Sequence, residues 1–325
     1  MAFEYKTTIH TMEIRMHTTD NAKRFYELCN DRPYLHDVKP LGNGSYSMIV
    51  NPHKYNGVDD RGRYRLRYIP LSEHKRILDQ IKQELHTDSL KVSRLDICAD
   101  PQIDYPYSEK VLRLMVLLLG NEIGAKNRYL SIDPLTLETK TIRVEALTGY
   151  NRKTYNGLLQ VENYNRGLLD QSDYDSTVIN RLEFRAGGTE AGENYSLEQI
   201  TERWIARLEA LSDPLTLSEK VMAIERTLNQ ALWQKWQQLV TQSRSTPTGK
   251  AFNDFIFYNL SSIYTVRQMM ALFRLYGDTD QKAQERNKNI RRLGRKTFRG
   301  QLLTDKQFAG EVNSLIQSVE AFSQV

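Results

Sequence analysis

Three strand-like segments of this chain place their charged residues at alternating positions, and this pattern constrains the fold more than any other feature. In residues 92–100, Arg94, Asp96 and Asp100 alternate with apolar side chains. Because successive side chains of a strand point to opposite faces of its sheet, one face of this strand is apolar and the other is charged. The apolar face predicts a core on one side of a sheet and leaves the charged face free for other uses.

Two further segments follow the same plan. If the three strands are neighbours in one sheet, their polar faces form a single surface that bears acids, arginines and a tyrosine. These faces consist of Arg181, Glu183 and Arg185 in residues 179–186, and of Glu162, Tyr164 and Arg166 in residues 160–167.

This shared surface has two interpretations from the residues alone. It is either a solvated sheet face with cross-strand ion pairs, each contributing about 0.2–1 kcal/mol, or a catalytic surface. Clustered carboxylates repel one another unless a cation neutralises them, and oxygen ligands of this kind suit Mg²⁺ or Mn²⁺. A divalent metal beside a tyrosine suits phosphodiester transesterification, in which the phenolate attacks and arginines bind the neighbouring phosphates.

The chain alternates strand-like and helix-like segments up to about residue 187, as α+β domains do. We therefore expect a mostly antiparallel central sheet with flanking helices over residues 1–190. Small residues at 187–192 interrupt the pattern, and the helix-patterned segments that follow predict an all-helical C-terminal domain over residues 191–325. The expected strands are 6–16, 45–50, 64–69, 92–100, 140–147, 159–165 and 178–186, and the expected helices of the first domain are 21–29, 73–85 after an N-cap at Ser72, and 108–122.

A strongly basic stretch lies within the expected helical domain. Residues 281–300 contain one acid, Glu285, in a chain of formal net charge +5. Such a density of positive charge is typical of segments that bind the phosphate backbone of DNA, and a solvated helix face is the plain alternative. The basic residues expected to contact DNA here are Arg286, Lys288, Arg291, Arg292, Arg295, Lys296 and Arg299.

Composition also bears on the compartment. Cys29 and Cys98 are too few for a disulfide framework, and no apolar run approaches the roughly 20 residues that span a bilayer. The N-terminal residues lack the continuous apolar region of a secretory signal. We therefore expect a cytoplasmic protein without a membrane partner.

The three charged segments resemble, in order and in spacing, the motifs of the trans-acting rolling-circle replication initiators. This family includes staphylococcal plasmid initiators and related nicking relaxases of integrative elements. SRLDICAD is similar to the family's R-L-D-x-A-x-D strand, VENYNRG to its R-I-Y-N-K nucleophile strand, and NRLEFRAGG to its R-V-E strand. The similarity spans roughly residues 60 to 187 and implies a bacterial protein with a nicking domain.

By this resemblance, Tyr164 is the nicking tyrosine that becomes linked to a 5′ phosphate and leaves a free 3′ hydroxyl to prime DNA synthesis. The resemblance also implies a metal-dependent site, with Mg²⁺ or Mn²⁺ as the cofactor. The other expected site residues are Asp96, Glu183 and Asp100 as metal ligands, Arg94 and Arg181 in catalysis, and Arg166 and Arg185 in DNA binding.

The nucleophile segment departs from the family's pattern at two positions. Glu162 stands where the family usually has an arginine, and Arg166 replaces the customary lysine. The preceding segment is short and places the family's Y-x-G at Tyr155 and Gly157, so Tyr155 is a rival nucleophile. None of the histidines forms the H-x-H pair of the larger rolling-circle superfamily, and a two-histidine metal site is therefore not expected.

We predict from these observations a replication initiator, a sequence-specific enzyme that nicks and rejoins DNA to start rolling-circle replication of a plasmid, phage or mobile element. The implied partners are double-stranded and single-stranded origin DNA, a host helicase and a second copy of the chain. Two alternatives stay open. One is a relaxase that uses the same chemistry in conjugative transfer, and the other is a non-catalytic DNA-binding initiator or repressor.

Overall fold

The computed structural model describes most of the first 212 residues and a smaller part of the remainder. The described residues are 4–55, 57–58, 64, 66–87, 89–102, 107–132, 139–151, 154–165, 180–192, 194–212, 279–282, 284–285, 288 and 305–324.

A single antiparallel sheet dominates the described part of the chain. Its eight strands run in the order β2-β3-β1-β4-β8-β7-β6-β5, and each neighbouring pair is antiparallel. The central strands β1, β4 and β8 are therefore bordered by a hairpin on one side and a three-strand meander on the other. The strands are β1 (Tyr5–His17), β2 (Leu35–Gly42), β3 (Ser45–Val50), β4 (Ser89–Pro101), β5 (Asn127–Ile132), β6 (Thr139–Asn151), β7 (Thr154–Asn165) and β8 (Asn180–Gly188).

Helices cover the apolar face of this sheet. The longest apolar run of the sequence lies in α4, where every side chain described from Val111 to Leu119 is buried. On β8, the ring of Phe184 packs against Trp204 of α5 with ring centroids 4.8 Å apart. The helices are α1 (Ala22–Asn30), α2 (Pro52–Tyr55), α3 (Leu71–Glu84), α4 (Tyr107–Glu122), α5 (Leu197–Glu209) and α6 (Asp305–Ser323).

The last described helix, α6, returns to the beginning of the chain. The hydroxyls of Ser318 on α6 and Thr7 on β1 lie 2.7 Å apart, and Ser318 also donates a hydrogen bond to the carbonyl of Tyr5. Phe308 and Val319 of the same helix are buried in the core that the sheet and α5 share. Helices from both ends of the sequence therefore complete one hydrophobic core.

The α+β class and the mostly antiparallel sheet are confirmed. The prediction of a strand at 64–69 is wrong, because the described residues of this segment form only an isolated bridge at Tyr64. The sequence pattern also missed β2 and β5. β2 contains Pro40 and several charged residues, which a strand tolerates because it lies at the edge of the sheet.

Two helix starts show how local chemistry sets the boundaries. Asn21 caps α1 by accepting a hydrogen bond from the backbone N–H of Arg24, and Ser196 with Gln199 forms a capping box at α5. The expected N-cap at Ser72 is wrong, because α3 begins at Leu71 after Pro70, two residues earlier than a cap at Ser72 requires.

The all-helical C-terminal domain and the boundary near residue 190 stay predictions. The described residues beyond that point form α5, α6 and a short helical stretch near residue 280, while residues 213–278 and 289–304 lie outside the described residues. No helix among the described residues is long and apolar enough to cross a bilayer.

Candidate active site

The three charged strands are neighbours in the sheet. β8 lies between β4 and β7, and the register places Asp96 opposite Arg185, and Glu162 opposite Glu183. Tyr164 is in turn the partner of Arg181. Their polar side chains share one face of the sheet, and we call this the polar face.

At one end of the polar face, a buried ion pair fixes Asp100 and Arg181. The guanidinium donates two hydrogen bonds, from Nε to Oδ1 at 2.8 Å and from Nη2 to Oδ2 at 2.6 Å. Tyr68 adds a third hydrogen bond to Oδ2 at 2.9 Å. Both ionic side chains are 0% exposed, so this pair is part of the interior and does not meet solvent.

A second arginine links two acids in the middle of the polar face. Arg185 donates to both carboxylate oxygens of Asp96, at 2.8 and 3.2 Å, and its Nη2 also donates to Glu183 at 2.8 Å. Thr11 on β1 donates to Asp96 Oδ2 at 2.7 Å. The pKa of Arg185 is raised, because the neighbouring carboxylates outweigh the opposing effect of its burial.

The Oε2 atom of Glu183 is the point where the tyrosine and a histidine meet. The Tyr164 hydroxyl donates to Oε2 at 2.8 Å, and His10 Nδ1 lies 3.1 Å from the same oxygen. Burial alone would raise the pKa of Glu183, but the hydrogen bond and charge of His10 and the charge of Arg185 hold it at about 2. Glu183 is therefore a carboxylate at neutral pH.

A β-bulge brings His10 to this point. Between Ile9 and Thr11, β1 advances two residues while β4 advances one, from Ile97 to Asp96, so His10 is the extra residue. A bulge changes the direction of a side chain relative to a regular strand. His10 and Thr11 consequently both contact acids of the polar face.

The sequence analysis missed His10, because a lone histidine in a strand belongs to no metal-binding motif. The segment TTIHTM in fact shows one hint. Ile9 and Met12 are both buried although they are three residues apart, which a strand of period two does not allow without an extra residue.

Glu162 is the second carboxyl group on this part of the face. Burial and the negative charge of Glu183 raise its pKa to about 7, while Arg185 and Arg143 act in the opposite direction. Gln160 donates a hydrogen bond to its Oε2 at 3.1 Å. Glu162 therefore holds a proton far more readily than Glu183, which is ionised at neutral pH.

The environment of Tyr164 favours the neutral phenol. Burial and the negative charge of Glu183 raise its pKa well above the usual value near 10, and only 8% of the residue is exposed. Attack on a phosphate by this oxygen therefore requires added positive charge or removal of its proton as the bond forms.

The donor set offers a partial fit for Mn²⁺ or Mg²⁺. Among the residues that the structure describes, no group of three His, Cys, Asp or Glu side chains has the geometry to hold a metal ion. His10 Nδ1 and Glu183 Oε2 lie 3.1 Å apart, and of these two donors the carboxylate is the type that suits Mn²⁺ or Mg²⁺. Asp96 and Asp100 meet arginines instead, and their role as metal ligands stays a prediction.

The remaining expected site residues lie in several places. Arg94 borders the polar face, with Nε 3.3 Å from Asp96 and Nη1 4.0 Å from Glu13. Tyr155 is in β7 nine residues before Tyr164, about 30 Å away along the strand, and its side chain is outside the described residues.

Of the basic residues expected to contact DNA in the stretch 281–300, Lys288 is described and exposed. Arg166, Arg286, Arg291, Arg292, Arg295, Lys296 and Arg299 lie outside the described residues.

Comparison with known proteins gives limited information. No family model matches the chain, and no curated protein matches it. A solved structure, a rolling circle replication initiator protein from Geobacillus stearothermophilus, aligns with 62% of this chain and 85% of that chain, with a TM-score of 0.31 and 12% sequence identity. Similarity at this level does not establish a shared fold, so the functional argument rests on the side chains of the polar face.

Proposed function

We propose that this chain is a replication initiator that nicks and rejoins DNA through Tyr164. The observation that carries the proposal is the convergence of the Tyr164 hydroxyl and His10 Nδ1 on one oxygen of Glu183. A tyrosine, a carboxylate and an imidazole at hydrogen-bonding distance supply a nucleophile, a proton acceptor and a possible metal ligand at one point.

In the proposed reaction, the phenol oxygen of Tyr164 attacks the phosphorus of a DNA phosphodiester. The new O–P bond forms as the bond to the 3′ oxygen breaks, which leaves a 5′ phosphotyrosine and a 3′ hydroxyl. The phenol proton leaves along the existing hydrogen bond to Glu183 and passes on to solvent, because a carboxyl group with a pKa of about 2 does not keep a proton at neutral pH. The departing 3′ oxygen takes up a proton from solvent. Rejoining is the same sequence in reverse.

The other residues of the polar face orient these groups. Arg185 holds Glu183 and Asp96 in fixed positions through charge-assisted hydrogen bonds, and the Arg181–Asp100 pair fixes the strand position opposite Tyr164. Glu183 and His10 are the residues that would hold a divalent cation. Such a cation, when bound, supplies positive charge that polarises the scissile phosphate and lowers the cost of forming a phenolate.

The proposal is tested with a supercoiled plasmid that carries the DNA flanking the protein's own gene, incubated with the full chain and Mn²⁺ or Mg²⁺. We expect conversion to the open circle with protein attached to the 5′ end. Tyr164→Phe should abolish both, because phenylalanine lacks the attacking oxygen, whereas Tyr155→Phe and the distant control Tyr26→Phe should retain them.

The outcomes separate the alternatives. Full nicking by Tyr164→Phe together with loss in Tyr155→Phe would transfer the nucleophile to Tyr155 and refute the mechanism given above. Nicking that persists after removal of divalent cations with EDTA would show that a metal is not required and would restrict the catalytic groups to side chains.

A second candidate function is a non-catalytic DNA-binding initiator or repressor. The observation that favours it is that Asp96 and Asp100 each accept hydrogen bonds from an arginine, while Tyr164 is buried, as expected of a structural network. Specific binding of origin DNA without any nicking in the same plasmid assay would support this function and reject the enzyme.

A further inference from the structure

The polar face continues beyond the candidate active site onto β6 and β5, at the edge of the sheet. In the cross-strand register, Glu183 faces Glu162, Glu162 faces Arg143, and Arg143 faces Tyr129. One row of side chains therefore runs from the site to the edge strand. Its length is about 15 Å, three strand spacings.

The outer end of this row has an exposed aromatic ring paired with a cation. Tyr129 is 44% exposed, which is unusual for a large side chain among the described residues. The guanidinium carbon of Arg143 lies 4.3 Å from the centre of its ring. The arginine thus holds the ring in a fixed orientation, while much of the ring stays open to solvent.

Arg143 also retains hydrogen-bonding capacity. Its Nε–H is buried and has no acceptor among the described residues. A buried donor without an acceptor is energetically unfavourable. Leu147, four residues further along β6 on the same face and beyond Glu145, is also exposed, at 40%.

We propose that Tyr129 and Arg143 form a binding platform for single-stranded DNA that leads to the candidate active site. An exposed aromatic ring stacks on any nucleobase, and an adjacent arginine complements the phosphate charge. The occupant is single-stranded because the bases of a duplex already stack on one another and do not reach a tyrosine ring. This inference rests on the proposed function only for the identity of the strand, the one that carries the scissile phosphate.

The test measures binding of a fluorescent single-stranded oligonucleotide of thymidines to the full-length Tyr164→Phe protein, which cannot cleave it. Tyr129→Ala should raise Kd by roughly 5- to 100-fold, as expected for loss of one base–aromatic stack. Tyr129→Phe should stay within about twofold, because it keeps the ring. Arg143→Ala should weaken binding and reduce the salt dependence by about one phosphate contact.

Oligonucleotides with a single abasic position identify the stack itself. At the position whose base stacks on Tyr129, loss of the base should weaken binding to the parent protein. The same abasic position should have little further effect on binding to Tyr129→Ala. The control is Leu41→Ala, since Leu41 is 53% exposed on β2 at the opposite edge of the sheet. This control should bind like the parent.

The inference is overturned if Tyr129→Ala binds like the parent, if Tyr129→Phe loses as much affinity as Tyr129→Ala, or if Leu41→Ala is equally weakened. These results do not depend on nicking. If Tyr129→Ala weakens oligonucleotide binding but the parent protein never nicks a plasmid, the platform is supported and the proposed catalytic function is rejected. If the parent nicks the plasmid but Tyr129→Ala binds the oligonucleotide like the parent, only the platform is rejected.

Discussion

At the residue scale, the pair of Asp100 and Arg181 stabilises the sheet beside the candidate site. Both side chains are fully buried, and removal of one partner leaves an uncompensated charge in the interior. We predict that Asp100→Asn lowers the free energy of unfolding by about 3–5 kcal/mol in urea denaturation.

A matched control for this change is the exposed ion pair of Glu73 and Arg76 on α3. Glu73→Gln should cost no more than about 1 kcal/mol, since exposed pairs contribute little. Equal losses in the two variants would mean that the Asp100–Arg181 pair is not buried in solution.

A buried histidine makes the stability depend on pH. His74 of α3 accepts a hydrogen bond from the backbone N–H of Ile9 at 3.2 Å, and burial lowers its pKa to about 3. The unfolded chain takes up this proton near pH 6.5, so between pH 6.5 and pH 3 the unfolded state holds more protons and stability falls as the pH falls.

His74→Gln keeps an acceptor for Ile9 and removes the titration. We predict that the variant loses about 2 kcal/mol less stability than the parent between pH 7 and pH 4.5, as measured by urea denaturation at each pH. His17→Gln, at an exposed histidine, is the control and should follow the parent. Parallel pH profiles of the parent and His74→Gln would contradict the buried neutral histidine.

At the element scale, we expect the bulge in β1 to be needed for the candidate site but not for folding. Because His10 is the extra residue opposite β4, its deletion would restore regular pairing of Ile9 with Ile97 and of Thr11 with Asp96. We predict that this deletion variant folds cooperatively but loses nicking, since Glu183 no longer has its histidine partner.

Deletion of Ile97 from β4 is the contrasting variant, because it moves the following residues to the opposite face of the sheet. It should fail to fold, as judged by circular dichroism and thermal unfolding. If deletion of His10 were as damaging as deletion of Ile97, the bulge would be an essential part of the fold.

The same elements show which features of the site could be predicted from the sequence alone. Among the described residues, the alternation in β4, β7 and β8 correctly predicted which side chains share the polar face, because alternation is a local property of a strand. The contacts of His10 and Tyr68 could not be predicted, since they depend on a bulge and on a segment expected to be a strand. Cross-strand ion pairs were one of the two interpretations of this face, but the alternation does not indicate that Arg185 pairs with Asp96 and Arg181 with Asp100.

At the scale of the whole molecule, the core extends across the expected domain boundary. Trp204 of α5 packs on Phe184, and Phe308 and Val319 of α6 are buried in the same core. We predict that a chain ending at residue 190 does not unfold cooperatively, because loss of both helices exposes the apolar face of the sheet.

A chain of residues 1–212 retains α5 and lacks α6, and it therefore distinguishes the contributions of the two helices. It should be intermediate in stability and bind a hydrophobic dye more strongly than the full chain. Cooperative unfolding of residues 1–190 with the stability of the full chain would instead support an independent first domain.

The central claim is that Tyr164 becomes covalently linked to DNA, and peptide mapping of the protein–DNA adduct by mass spectrometry tests it most directly. After nicking and digestion with protease and nuclease, we expect a nucleotide attached through a 5′ phosphate to the peptide that contains Tyr164. An adduct on the peptide that contains Tyr155, or complete nicking without any adduct, would contradict it.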